Sequence, residues 1–125
     1  MKHYDIIIVG AGPGGIFAAY ELQKLDPQLK TAVFEAGHSL EKRKCPIDGK
    51  KVKSCIKCKT CSIMSGFGGA GAFSDGKYNI TNDFGGTLHE HIGKKQALDL
   101  MKYVDTINMN HGGEGARIFS TAQTK

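Results

Sequence analysis

Apolar and polar positions change their period several times along the chain. Residues Lys2 to Val9 carry the run Ile6, Ile7, Ile8, Val9, which predicts a buried strand. Gly10-Ala11-Gly12-Pro13-Gly14-Gly15 interrupts it, Ile16 to Leu25 predicts a helix, and Thr31 to Phe34 predicts a second strand that ends on Glu35. Residues 38–65 are polar without a sustained period, and residues 66–86 are too glycine-rich for regular structure. Leu88, Ile92, Leu98, Met101, Val104 and Ile107 lie near helical spacing and predict a helix over 87–111. Their stripe reads as core packing rather than a cofactor box. Thr87 and Glu90 have the spacing of a capping box at its start. Residues 112–125 carry no pattern.

The first five pieces run strand, glycine turn, helix, strand, acid. That order is the βαβ fingerprint of dinucleotide binding, and it predicts an α/β fold: a Rossmann-like FAD/NAD(P)-binding unit. Each glycine has a physical role. Gly10 permits the turn, Gly12 lets backbone approach a diphosphate, and Gly15 lets the helix pack closely. The first helical turn offers free N–H groups and the positive end of a dipole, and Pro13 sits where a missing N–H is tolerated. Glu35 stands 20 positions after Gly15, where a carboxylate accepts from ribose hydroxyls and repels a 2′-phosphate. Together with Ala11, Gly14 and Ala36 these are the predicted cofactor-binding residues. The alternative is a glycine-rich turn that binds nothing.

Length and composition limit the picture. The 125 residues fit one domain or part of one. A doubly wound domain usually has about five or six strands, and the two strand candidates both precede residue 36. The reading is therefore an incomplete unit: the N-terminal portion, 1–125, of a larger FAD-binding domain. Its parts are the βαβ fingerprint (1–37), a basic cysteine-rich insertion (38–65), a glycine-rich loop (66–86), the helix (87–111) and an end segment (112–125). No run of 18 apolar residues exists, so a membrane span and a membrane partner are not expected, and the predicted location is cytoplasmic.

The net charge of +5 is local. Residues 41–61 hold eight Lys/Arg (Lys42, Arg43, Lys44, Lys50, Lys51, Lys53, Lys57, Lys59) and two acids, Glu41 and Asp48, whereas the remainder is nearly balanced. A basic stretch suits nucleic acid, but this one lacks aromatic residues for base stacking, so no nucleic-acid partner is predicted. It contains all four cysteines, Cys45, Cys55, Cys58 and Cys61. The last three read C-x-x-C-x-x-C, a spacing that lets successive thiolates face one centre. Four thiolates suit an iron–sulfur cluster or a tetrahedral zinc, and neighbouring cations favour the thiolate. Free thiols and, less in keeping with a cytosolic enzyme, disulfides stay open. The usual ferredoxin order places a Cys-Pro after the triplet, whereas Cys45-Pro46 precedes it.

In the second glycine stretch, Ile63 to Lys77, small residues allow backbone amides to approach a flat or anionic ligand. Met64, Phe67 and Phe73 distinguish it from a flexible linker. Gly68 and Gly69 are its predicted cofactor contacts, and Asp75 and Lys77 are its charged side chains. His89 and His91 read as surface residues rather than a metal pair.

Asp5 to Gly15, with Val33-Phe34-Glu35-Ala36-Gly37, resembles the N-terminus of flavoproteins of the glutathione-reductase structural type. More narrowly, Glu41 to Pro46, the Cys55–Cys61 triplet and Gly66 to Lys77 resemble the FAD-dependent dehydrogenases found in many prokaryotes. The resemblance implies FAD at residues 10–15 and 35, with the second glycine stretch close to the flavin or diphosphate and followed by Thr81-Asn82. It also implies that longer relatives complete the pocket from later in their sequences. The predicted function is that of an FAD-dependent oxidoreductase acting on an unknown small-molecule substrate or electron donor, with no catalytic residue assigned. Alternatives are an NAD-binding oxidoreductase domain and a metal-stabilised basic binding module.

Overall fold

A computed structural model describes residues 2–74, 76, 78–83 and 85–115. The chain divides into two compact units, Met1–Lys77 and Tyr78–Lys125.

In the first unit, β1 (Ile6–Val9) and β2 (Thr31–Phe34) pair in parallel, with Ile6 opposite Thr31 and Val9 opposite Phe34. Two parallel strands need a crossover, and α1 (Pro13–Leu25) supplies it. The α/β class and its βαβ unit are as the pattern predicts. Two details differ. The helix starts at Pro13 rather than Ile16, because proline's fixed φ suits a first helical position. The strand is shorter than Lys2–Val9, and it is not buried: Ile7 and Val9 are 59% and 86% exposed. A strand paired on one edge, with one helix across it, leaves alternate side chains uncovered. At the C-terminal end of α1, Asp26 closes the helix through its N–H to the Leu22 carbonyl (2.9 Å), and its carboxylate accepts from Gln28 N–H at 3.0 Å.

Residues 38–74 contain only short 3-10 turns, at Leu40–Lys42 and Ala70–Phe73. The lysine-rich tip is ordered by Asp48, whose Oδ1 accepts from the N–H groups of Lys50, Lys51 and Val52 at 2.8–2.9 Å.

The second unit holds α2 (Leu88–Ile92) and α3 (Lys94–Asn110). The helix predicted over 87–111 is thus two helices. Gly93 breaks it at φ +83°, a left-handed conformation that glycine adopts without steric cost. Thr87 is the N-cap of α2 but makes no side-chain capping bond, so the capping box does not form. Ala97 is fully buried, whereas the predicted stripe is half-buried from Ile92 to Ile107 and Leu88 is exposed. Among the described residues the buried apolar side chains are Ala11 and Ala97.

Candidate functional site

The glycine turn is closed by the N–H of Gly10 on the Phe34 carbonyl at 2.7 Å, which ties the end of β1 to the end of β2. Gly12 is the N-cap of α1. It makes no side-chain cap bond, and no acidic residue stands in the first turn. The N–H of Ile16 is already satisfied by the Gly12 carbonyl (3.0 Å). The N–H groups of Gly14 and Gly15 lie ahead of it, where a helix has no acceptor of its own to offer. A Cβ placed on Gly14 would meet nothing within 4 Å, so the first turn opens onto free space. Gly15 is the opposite case. Its Cβ would collide with the Gly10 carbonyl oxygen and lie 3.2 Å from Ile8 Cγ2. This is a contact between helix and turn that only glycine permits.

Glu35 turns its carboxylate back to this turn. Oε2 accepts from Ala11 N–H and Oε1 from Gly37 N–H, both at 2.8 Å. Those two amides, Ala11 first, hold its carboxyl below the usual glutamate range, with smaller help from Gly66 N–H and the Arg43 charge against the cost of desolvation. An ionised carboxylate has about four acceptor positions, so acceptor capacity remains for a hydroxyl donor. Glu35, Gly37, His38, Leu40 and Phe67 line an open cavity of about 470 Å³. Ala36 is exposed. Gly37, which sequence reasoning did not single out, supplies the second amide.

The second glycine loop lies against the first. Gly68 N–H donates to the Ala11 carbonyl at 2.8 Å, and Phe67 N–H donates to the His38 carbonyl at 3.0 Å. A Cβ on Gly69 would come within 3.1 Å of Gly12 Cα and Pro13 Cδ. Ala11, 2% exposed, is thereby bonded on one side to Glu35 and on the other to Gly68.

The residue that holds this loop is Arg43, which charge patterning grouped with the surface lysines. It is 3% exposed. Its Nε donates to the Ser62 carbonyl (2.8 Å), Nη2 to Ile63 (2.6 Å), and Nη1 to both Phe67 (2.6 Å) and Gly69 (2.8 Å). The guanidinium also stacks over the Phe73 ring at 4.8 Å. The available signal was that Arg43 is the one arginine among seven lysines in the basic run, and only arginine has a planar fork of five donors.

The four cysteines line one small cavity of about 80 Å³ with Pro46 and Ile56 among its walls. Cys45, Cys55 and Cys58 are exposed, Cys61 is half-buried, and all four are free thiols. Among the described residues, no three His, Cys, Asp or Glu side chains converge closely enough to grip one metal ion. The Cys61 thiol is pulled below its usual range by the amides of Met64 and Ile63, and more weakly by Arg43. The lysines predicted to favour thiolates have no part in that shift.

Other predicted residues lie apart. Thr81 and Asn82 belong to the second unit, where Asn82 Nδ2 donates to the Lys94 carbonyl at 3.1 Å. Asp75 and Lys77 lie outside the described residues. His89 is half-buried and His91 exposed. No described helix is long and apolar enough to cross a membrane.

A dinucleotide fits the residues present. The helix mouth is uncapped, free of acid and open in front of Gly14, and Glu35 keeps acceptor capacity beside a cavity. Residues 1–41 match the model of the Thi4 family, a FAD/NAD-binding family, which supports a nucleotide-binding N-terminal region of flavoprotein type. No curated protein and no solved structure matches the chain.

Proposed function

We propose that the first unit holds FAD as part of an oxidoreductase. The diphosphate lies against the amides at the start of α1, and the adenosine ribose hydroxyls donate to Glu35. The adenine enters the cavity beside His38 and Leu40, while the Gly68–Gly69 backbone forms the facing wall. The observation that carries this reading is the open, uncapped first turn with an ionised carboxylate bonded to its flank. When bound, the flavin supplies the redox chemistry. The chain's own part is to bind and orient. Helix amides meet the diphosphate charge, Glu35 selects a free 2′-hydroxyl over a 2′-phosphate, and Arg43 keeps the second loop at its distance.

Two glycine variants test it. Gly12→Ala has room for its methyl, since the nearest atom across the gap is Gly69 Cα at 3.9 Å. It is expected to stay folded but lose FAD affinity by about tenfold or more, because the methyl intrudes on the diphosphate. Gly15→Ala collides with Gly10 and is expected to lose about 3 kcal/mol or more of stability. FAD titration by flavin fluorescence, alongside thermal melts, measures both. FAD binding by Gly12→Ala equal to the parent chain, or no FAD uptake by the parent, would overturn the reading.

A further inference from the structure

The cysteine loop carries more than exposed thiols. Cys45 stands ten residues before Cys55, yet all four sulfur-bearing residues border one cavity. Arg43 brings them there: it is two residues from Cys45, and it grips the carbonyls of Ser62 and Ile63, immediately after Cys61. The local backbone also points an amide at sulfur. Lys57 N–H, two residues after the cysteine, approaches Cys55 Sγ at 3.4 Å. Lys57 is the only non-glycine residue with positive φ among those described, at +53°. That conformation disfavours a side chain, and here it turns the chain between Cys55 and Cys58. Amides aimed at a sulfur stabilise thiolate, and they are one of the means by which proteins tune cysteine-ligated clusters.

Spacing and charge select the occupant. A single tetrahedral zinc, with Zn–S of about 2.3 Å, draws its four sulfurs to roughly 3.8 Å from one another. Cys55, Cys58 and Cys61 follow the C-x-x-C-x-x-C spacing of iron–sulfur loops, and a space of about 80 Å³ is bordered by all four cysteines. A cubane cluster holds its ligand sulfurs farther apart than a single zinc does. With four thiolates it carries a net double negative charge, and the +6 balance of residues 41–61 offsets it. Pro46, Ile47 and Ile56 give the space apolar walls.

We propose that Cys45, Cys55, Cys58 and Cys61 bind one [4Fe–4S] cluster. Binding releases the four thiol protons and forms four Fe–S(Cys) bonds; the iron and sulfide enter with the cluster. The site is independent of FAD, so an FAD-free preparation tests it equally well. The 125-residue chain is reconstituted anaerobically with equal amounts of ferrous and ferric iron and with sulfide, and in parallel with zinc alone. The expected result is four iron and four acid-labile sulfide per chain, a charge-transfer absorption band that bleaches on reduction, and protection of all four thiols from alkylation. Each Cys→Ser variant is expected to lose most of the bound iron. Should a variant misfold by circular dichroism, the alkylation count on the unsubstituted chain decides the matter alone. Binding of one zinc with no iron uptake, four thiols still reactive after reconstitution, or full cluster content in Cys45→Ser would each overturn the proposal.

Discussion

Glu35 shows how much a single side chain can organise. Its two carboxylate oxygens accept from Ala11 and Gly37, so one residue at the end of β2 defines the glycine turn and the start of the following loop. The folded state favours its ionisation, lowering its pKa chiefly through the Ala11 amide and then Gly37. Its stabilising contribution is therefore complete above the pKa of an unfolded glutamate and fades as pH drops through the lower folded value. Denaturant midpoints measured against pH are expected to fall on the acid side of the ordinary glutamate range. Glu35→Gln, which has one acceptor oxygen and no titration, is expected to flatten that limb and to weaken FAD binding by about tenfold. Identical acid limbs in the two proteins would remove Glu35 from this role. Its position was legible in the sequence because the fingerprint counts residues from Gly15. Its bond to Gly37 was not, since a backbone donor has no residue-type signature.

Elements were legible where the signal is local and were lost where tertiary context decides. The strand–turn–helix–strand order follows from apolar runs punctuated by glycine, and β2 has the predicted bounds. Burial of β1 did not follow, because an apolar run reports a preference for cover and not what covers it. Val9→Ala tests this point. At 86% exposure it is expected to change stability by less than about 0.5 kcal/mol, whereas a buried valine would cost about 1 kcal/mol or more. A denaturation series on the variant gives the answer. Likewise, the apolar stripe of residues 88–107 ran on across Gly93, and the backbone turn there splits it in two. A glycine within a helical pattern is tolerated or terminal depending on φ, which spacing does not encode.

Over the whole first unit, cohesion comes from a polar hub and not from a large apolar core. Beyond its being the one arginine of the basic run, nothing in the sequence marked the role of Arg43, because its partners are carbonyls of Ser62, Ile63, Phe67 and Gly69, none of which marks a partner by side-chain type. Removing it leaves those four acceptors without their donor. Arg43→Ala is expected to cost about 3 kcal/mol or more, and Arg43→Lys to recover only part of this, because an ammonium has three donors and no planar fork. Chemical melts of the three proteins measure the order. A lysine variant as stable as the parent would show that charge alone suffices.

One practical outcome of that guanidinium concerns exchange between proteins. Thiol segment and glycine segment share a single rivet, so neither would keep its shape if grafted by itself onto another scaffold. An exchange would have to move residues 38–73 as one piece and supply an acceptor in place of the Ala11 carbonyl that Gly68 bonds.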